Sequence, residues 1–139
     1  MTGYWLCVTN EENWEIIKRE KTWGVSEKNL KLLSRTDVGD LLIFYVKPKK
    51  LAGIFKIASS PFKSEEKLFA SDEPCGETYP HRVKIEPEVI PSQPKDFEAV
   101  VASSLRFGGG SGLWRNMIRR AMQRLSSYHY EDFRKALET

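Results

Sequence analysis

The apolar run LLIFYV, Leu41 to Val46, most constrains the fold, because it has the length of a strand and offers no polar side to water. A strand of this kind is buried on both faces and needs a layer of structure on each side. Asp37 to Asp40 forms a turn before it, and Pro48-Lys49-Lys50 leads into another strand, Leu51 to Ala58. We therefore expect two successive strands here, the first of them buried on both faces.

Further strands are expected on either side of this pair in the sequence. Gly3 to Val8 is rich in aromatic and branched residues, which favour a strand. Arg82 to Ile90 alternates between apolar and polar residues. The alternation predicts two inward side chains, Val83 and Ile85, and three outward ones, Arg82, Lys84 and Glu86.

Helices are expected between and after the strands. Thr9 and Glu12 fit a capping box that starts a first helix, which ends near Lys21, and Ser26 can cap a short second helix. Asp96 to Leu105 and Tyr128 to Leu137 also read as helices. Between these two, an amphipathic helix is expected from Leu113, with the apolar stripe Leu113, Trp114, Met117, Ile118, Ala121, Met122 and Leu125.

These elements favour an α+β fold. Strands and helices do not alternate in a βαβ rhythm, and short strands joined by turns favour antiparallel pairing. The expected architecture is a small curved mixed sheet or open barrel with helices around it. At 139 residues the chain fits a single domain over 1–139, with 108–139 as a C-terminal helical extension packed on it.

Sequence motifs for catalysis or metal binding are not found. The sequence has no GxSxG, P-loop or HExxH pattern, and its two cysteines, Cys7 and Cys75, have no metal-ligand spacing. It also shows no signal peptide and no apolar run long enough for a membrane span. We therefore expect a cytoplasmic, non-enzymatic protein without a cofactor, a metal or a membrane partner.

Positive charge is concentrated near the C-terminus. The segment from Ser103 to Tyr130 carries five arginines and no Asp or Glu, so its charge is +5 while the rest of the chain carries −2. Local charge sets the surface potential, and arginines bind phosphates. The candidate phosphate-binding residues are Arg106, Arg115, Arg119, Arg120 and Arg124. A solvated helix face explains the same arginines about equally well.

Trp23 lies in the polar stretch KTWGVSEKN and is a candidate for one wall of a binding site. Trp5, Trp14 and Trp114 fall on apolar faces and are expected in the core. Trp23 lacks such a periodic context, and Gly24 beside it permits a close approach to the backbone. Aromatic faces combined with arginines are suited to binding single-stranded or flipped bases.

Five segments in order resemble the EVE domain family, which is PUA-like and close in fold to YTH domains. They are YWLCVT from Tyr4, WGV from Trp23, GDLLIFY from Gly39, LAGIFKI from Leu51 and YPHRVKIEP from Tyr79. The resemblance runs from Tyr4 to about Phe107. It implies a mixed sheet curved into a partial barrel with surrounding helices, and a reader of modified bases in DNA or RNA.

The resemblance also implies roles for individual residues. YTH domains flip N6-methyladenine into an aromatic cage whose Trp follows a base-contacting Asn by ten residues, and Asn13 and Trp23 have that spacing. Asn13 would then bind the base edge, although from the residues alone a place in the first helical turn is the simpler interpretation. The other implied pocket residues are Thr9 at the base edge, Asn10 and Val25 beside these positions, Gly24 under the base, Phe62 or Phe69 as a further wall, and Tyr79 and Arg82 nearby.

Three functions follow as hypotheses. The first is a nucleic-acid-binding module that reads a modified or flipped base. The second is a pocket protein for a free nucleoside or small metabolite, with the arginines serving solubility. The third and least favoured is an enzyme acting on a base or RNA, with His81, Tyr79 and Arg82 as candidates. Separately, Trp114 and Met117 could contact a partner or a second copy, although core packing is the favoured interpretation.

Overall fold

The computed structural model of the protein describes residues 2–69, 78–102 and 118–138. Within these ranges the chain forms eight strands and four α-helices. In chain order they are β1 (Tyr4–Thr9), α1 (Glu11–Glu20), β2 (Thr22–Val25), a 3-10 turn (Glu27–Asn29), α2 (Leu30–Ser34), β3 (Leu41–Val46), β4 (Lys50–Ile57), β5 (Phe62–Lys63), β6 (His81–Val89), β7 (Lys95–Asp96), α3 (Phe97–Ala102), β8 (Met122–Leu125) and α4 (Ser127–Glu138). No described helix is both long and apolar enough to cross a membrane.

The strands form one curled mixed sheet that makes a half-barrel. Its order is β2-β6-β4-β3-β1-β8, with β5 paired to β6 and β7 paired to β4. The expected antiparallel pairing is confirmed for these neighbours except β1 and β3, which are parallel. The connection between β1 and β3 contains α1, β2 and α2, so it is long enough to return the chain to the starting end of the sheet. The expected α+β architecture, a mixed sheet with helices around it, is confirmed.

β3 is buried along its whole length, as expected for an apolar run of six residues. Alternate side chains point to opposite faces of the sheet. On one face, Leu42, Phe44 and Val46 pack with Trp14 and Trp23. The other face contacts α3 and α4, where Leu41, Ile43 and Tyr45 pack with Phe97 and Phe133. The expected core positions of Trp5 and Trp14 are confirmed, while Trp114 lies outside the described residues.

Asp40 connects the starts of the two parallel strands. Its carboxylate is buried and accepts hydrogen bonds from Gly3 N at 2.8 Å, Trp5 Nε1 at 3.1 Å and Asp37 N at 3.0 Å. Three donors satisfy most of the hydrogen-bonding capacity of a buried carboxylate. Asp40 therefore fixes β1 against the turn before β3.

The structure corrects the expected helix from Leu113 where it is described. Met122–Leu125 is the edge strand β8, antiparallel to β1, instead of a helical turn. The unpaired edge of β1 offers backbone hydrogen bonds along the strand, and this tertiary pairing overrides the helical spacing of Met122 and Leu125. Residues 108–139 are therefore not wholly helical, because they contribute a strand to the sheet before α4. The single domain over 1–139 remains a prediction.

The predicted cap of the first helix is wrong, and the segment after that helix is a strand that the sequence did not predict. The N-cap of α1 is Asn10, whose Oδ1 accepts a hydrogen bond from Asn13 N at 2.8 Å, so Thr9 and Glu12 do not form a capping box. Trp23 lies in β2 opposite Val83 of β6, and not in a loop. A four-residue strand is too short to show a period in sequence, so its pairing partner defines it.

Candidate functional site

A cavity of about 410 Å³ opens where β1 and β3 end. These strands are parallel and finish together, and Lys47 N donates a hydrogen bond to Thr9 O at 2.9 Å. The chain before β8 reaches the same end, where Val8 N donates to Ala121 O at 2.9 Å. β2 and the first turns of α1 supply the other walls. Segments from the beginning, middle and end of the chain thus meet around one cavity.

Most of the sequence-predicted ligand residues line this cavity. Those that do are Thr9, Asn10, Asn13, Trp23, Gly24, Val25 and Tyr79, together with the two cations Arg119 and Arg120. The cavity also contains Phe69, the second of the two phenylalanines considered as a wall. The ligand-binding role of each residue remains a prediction.

Three aromatic side chains, Trp23, Phe69 and Tyr79, contribute to the apolar part of the lining. Trp23 is 5% exposed and packs edge-on against Phe44, with ring centroids 5.4 Å apart. Phe69 is buried and lies 6.1 Å from Tyr79, again edge to face. Among the described residues, Trp23 Nε1 is the buried side-chain polar atom without a hydrogen-bond partner. An unpaired buried donor is unusual in a native protein and is often found at functional sites.

Gly24 is required by the packing of these walls. A Cβ at this position would lie 2.7 Å from Phe69 Cε2 and 2.9 Å from Tyr79 O. The sequence predicts that Gly24 lets a ligand approach the backbone. The structure adds a second reason, because on the side where a Cβ would stand the space is filled by Phe69 and Tyr79.

Positive charge surrounds the cavity. Four cationic residues line it, Lys28, Lys47, Arg119 and Arg120, and all four are exposed. The described lining contains no Asp or Glu. Lys28 and Lys47 were missed by the sequence analysis, because only the pairing of β1 with β3 brings Lys47 beside Thr9, and Lys28 belongs to a 3-10 turn without a distinctive motif.

The remaining predicted site residues lie elsewhere or outside the described chain. Phe62 is 37% exposed in β5, with Lys84 Nζ 5.9 Å from its ring, and does not line the cavity. Arg124 is exposed and stacks over Trp5 at 5.2 Å. Arg106 and Arg115 lie outside the described residues.

Arg82 contradicts the prediction of an outward side chain, since it is 2% exposed and does not line the cavity. Its guanidinium donates from Nη2 to Glu66 O at 2.5 Å and Thr78 O at 2.9 Å, and from Nε to Tyr79 O at 3.0 Å. The chain on either side of the undescribed residues 70–77 folds over this position of β6. A polar residue in an alternating strand therefore ends up buried under a loop.

Comparison with known proteins identifies the family. The EVE domain model matches residues 3–136. The chain belongs to the EVE domain family. A UPF0310 protein of Pyrococcus horikoshii is 34% identical to this EVE domain over 145 residues, covering 96% of this chain and 98% of the relative.

Solved YTH domains share the fold of this EVE domain. The YTH domain of the Zygosaccharomyces rouxii MRB1 protein, in complex with N6-methyladenosine RNA, aligns with a TM-score of 0.68 and 13% identity, over 99% of this chain and 87% of that chain. The Pho92 YTH domain in complex with m6A aligns with a TM-score of 0.72 and 11% identity, over 99% and 84%. At such identities the likeness shows the fold alone.

An ion pair supports the wall of the EVE domain cavity that carries Lys28. His81 Nε2 on β6 contacts Glu27 Oε2, and Glu27 begins the 3-10 turn that contains Lys28. The hydrogen bond from His81, together with the charge of that imidazole, lowers the pKa of Glu27 below its ordinary value. The ion pair therefore stabilises the fold while Glu27 is ionised.

The Glu27 interaction predicts a pH-dependent difference between wild type and Glu27→Gln. A pKa lowered by folding contributes stability above the unfolded-state pKa, and that contribution is lost as the pH falls through the folded-state pKa. We expect wild type to have the higher melting temperature near neutral pH and the difference to vanish in acid, as followed by circular dichroism. Glu86→Gln is the control, because Glu86 is an exposed carboxylate on β6, the strand that carries His81. A difference that stays constant with pH would contradict the assignment.

Proposed function

We propose that this EVE domain is a non-enzymatic nucleic-acid-binding module that takes one modified or flipped base into the cavity beside Trp23. The observation that carries the proposal is the convergence of three aromatic side chains and four cations on one cavity with no carboxylate in its described lining. Aromatic faces stack on bases, and cations pair with the phosphates that flank the base.

The size and chemistry of the cavity support a base as the ligand. Small-molecule sites have volumes of roughly 300–1,000 Å³, and this cavity measures about 410 Å³. Asn10 and Asn13 supply amides near the aromatic walls, and Thr9 and Ser26 are buried residues that carry hydroxyl groups. Amides and hydroxyls can both donate and accept hydrogen bonds, which base edges require. The unpaired Trp23 Nε1 supports a ligand that brings an acceptor.

The YTH structures supply further support. Two domains of the same fold are in complex with N6-methyladenosine RNA and with m6A. We extend this kind of ligand, a nucleic acid with a modified base, to the present chain as part of the proposal. The proposal covers both DNA and RNA, and it does not specify which base modification is bound. The cytoplasmic location and the absence of a cofactor remain predictions.

A fluorescence titration of wild type and Trp23→Phe tests the base-binding role. Single-stranded oligonucleotides that differ in one base modification would be compared, with N6-methyladenine against adenine and 5-methylcytosine against cytosine as first pairs. We expect a modification-specific quench in wild type, and because Trp23→Phe removes the quenched indole, the affinity of each protein is read from the anisotropy of a labelled oligonucleotide. Trp23→Phe keeps a ring that can stack, so Trp23→Ala measures the whole base–aromatic stack, which contributes about 1–3 kcal/mol, or roughly 5- to 150-fold in affinity. Equal affinities of wild type for modified and plain oligonucleotides would overturn the reader proposal.

The phosphate role of the cavity cations has its own prediction. Arg119→Ala is expected to weaken binding to modified and plain oligonucleotides alike and to reduce the dependence of log affinity on log salt by about one unit. Arg19→Ala is the matched control, because Arg19 is an exposed arginine on α1 that does not line the cavity. An equal loss in both variants would mean that the effect is general electrostatics and not a contact at the cavity.

The free-nucleoside alternative gives a different pattern in the same experiment. It predicts tight binding of one nucleoside and no salt-dependent binding of any oligonucleotide. The enzyme alternative has less support, because His81 and Arg82 do not line the cavity and the described lining contains no Asp, Glu, His or Cys to act as a general base.

A further inference from the structure

We propose that Arg82 is a positioning residue for base selectivity, because its guanidinium holds Phe69 and Tyr79 in place as walls of the cavity. The inference rests on the proposed function and assigns the selectivity of that site to a residue that does not contact the ligand. The family resemblance predicted Arg82 as a ligand-binding residue. In the structure its side chain is buried behind the cavity wall and does not line the cavity.

The contacts of Arg82 join two separate stretches of chain. One hydrogen bond reaches Glu66 O before Phe69, and two reach Thr78 O and Tyr79 O. The guanidinium carbon also lies 5.3 Å from the Phe69 ring centroid, in a cation–π contact. Each contact is made to the aromatic walls themselves or to a residue within three positions of them in sequence.

An arginine suits this buried position because its guanidinium can donate to several backbone carbonyls at once. The hydrogen bonds of Arg82 go to backbone carbonyls, which carry no net charge. Desolvation by burial is the main cause that lowers the pKa of Arg82. No carboxylate hydrogen-bonds to Arg82 in the part of the chain that the structure describes. The planar guanidinium can donate to several carbonyls at fixed angles, which the single ammonium of lysine cannot do. The geometry that arginine fixes is the relative placement of Phe69 and Tyr79.

Gly24 transmits this placement to the cavity. A Cβ at Gly24 would lie 2.7 Å from Phe69 Cε2 and 3.3 Å from Arg82 Cγ, so Arg82, Phe69 and the β2 backbone are packed without a gap. Trp23 precedes Gly24 in the same strand. Because the guanidinium lies over the Phe69 ring, a change at Arg82 is expected to move that ring relative to Trp23, across the space where a base would have to fit.

Arg82→Lys and Arg82→Gln test this role through selectivity. The probes are the same oligonucleotide pairs as above, and the readout is the affinity ratio of modified to plain base at two salt concentrations. We expect the ratio to fall by about tenfold in both variants, while the salt dependence stays that of wild type because the phosphate contacts are untouched. A ratio equal to that of wild type in folded variants would overturn the proposal.

Two further variants separate positioning from loss of stability. Arg134→Lys is the matched control: Arg134 also bonds several partners, Tyr130 Oη at 2.8 Å and Glu88 Oε2 at 3.1 Å, but it does not line or contact the cavity. We expect it to lower the melting temperature without changing the ratio. Phe69→Leu leaves Arg82 intact and should lower the ratio as Arg82→Lys does, so the proposal remains testable if the Arg82 variants fail to fold. Should Phe69→Leu keep the wild-type ratio, the proposal is wrong.

The outcome also distinguishes this inference from the proposed function. If wild type shows no preference for any modified base, the proposed function fails before Arg82 is considered. If wild type is selective and Arg82→Lys is equally selective, the proposed function stands and the positioning role fails.

Discussion

Asp40→Ala is expected to lower the free energy of unfolding by about 3–5 kcal/mol, because it leaves three N–H donors without their buried acceptor. The donors are Gly3 N, Trp5 Nε1 and Asp37 N. They lie at the start of β1 and in the turn before β3, so the loss loosens the parallel pair of strands whose opposite ends border the cavity. Urea denaturation followed by circular dichroism measures the change.

Two variants provide controls for Asp40→Ala. Asp37→Ala removes an exposed carboxylate from the same turn while keeping the backbone N–H that donates to Asp40, so its cost should be within about 0.5 kcal/mol of zero. Asp40→Asn keeps one acceptor oxygen, so its loss in free energy of unfolding is expected to lie between those of Asp37→Ala and Asp40→Ala. If Asp40→Ala costs no more than Asp37→Ala, the three hydrogen bonds do not hold the strands together.

Gly24→Ala is the second large effect that we expect. The new Cβ would lie 2.7 Å from the Phe69 ring and 2.9 Å from a backbone oxygen, Tyr79 O. The carbonyl of Tyr79 belongs to the backbone and has no alternative rotamer that would relieve the clash. Overpacking of this kind costs about 1–3 kcal/mol of stability. Because the residues that must move are cavity walls, we also expect a loss of base selectivity in the oligonucleotide titration.

Gly39→Ala is the matched control for Gly24→Ala. Gly39 has φ of 98°, where an alanine is strained, but a Cβ there would meet nothing within 4 Å. We expect a comparable stability loss of about 1–2 kcal/mol from backbone strain, with selectivity unchanged. A parallel fall of selectivity in both glycine variants would show that the effect follows stability and not the shape of the cavity.

The central strands of the fold could be predicted because their signal is local. Six apolar residues from Leu41 to Val46 require a strand covered on both faces, whatever lies elsewhere in the chain. The parallel pairing of β1 with β3 and the strand β8 could not be predicted this way. Each depends on which sheet edge is available once the chain has folded, and Met122 and Leu125 fit a helical spacing equally well.

The candidate site likewise contains residues that the sequence could predict and residues that only the folded chain reveals. Trp23 was singled out by its lack of a core pattern, and the family resemblance supplied Asn13 and Thr9, all of which line one cavity. Lys28 and Lys47 could not be found, because their place at the cavity depends on tertiary pairing. Arg82 was predicted to be exposed but is buried, since alternation predicts the face on which a side chain lies and not whether a loop covers that face.

The assembly of the cavity from Thr9, Lys47 and Ala121 means that three distant parts of the chain must be in place before a ligand can bind. A fragment ending before residue 118 would lack one side of the cavity, so it is expected to bind more weakly than the full chain. A ligand that binds only the complete fold also stabilises that fold by mass action, with a gain that grows with its concentration. Under the proposed function, adding a bound oligonucleotide is therefore expected to raise the unfolding temperature of this EVE domain, by an amount that grows with its concentration.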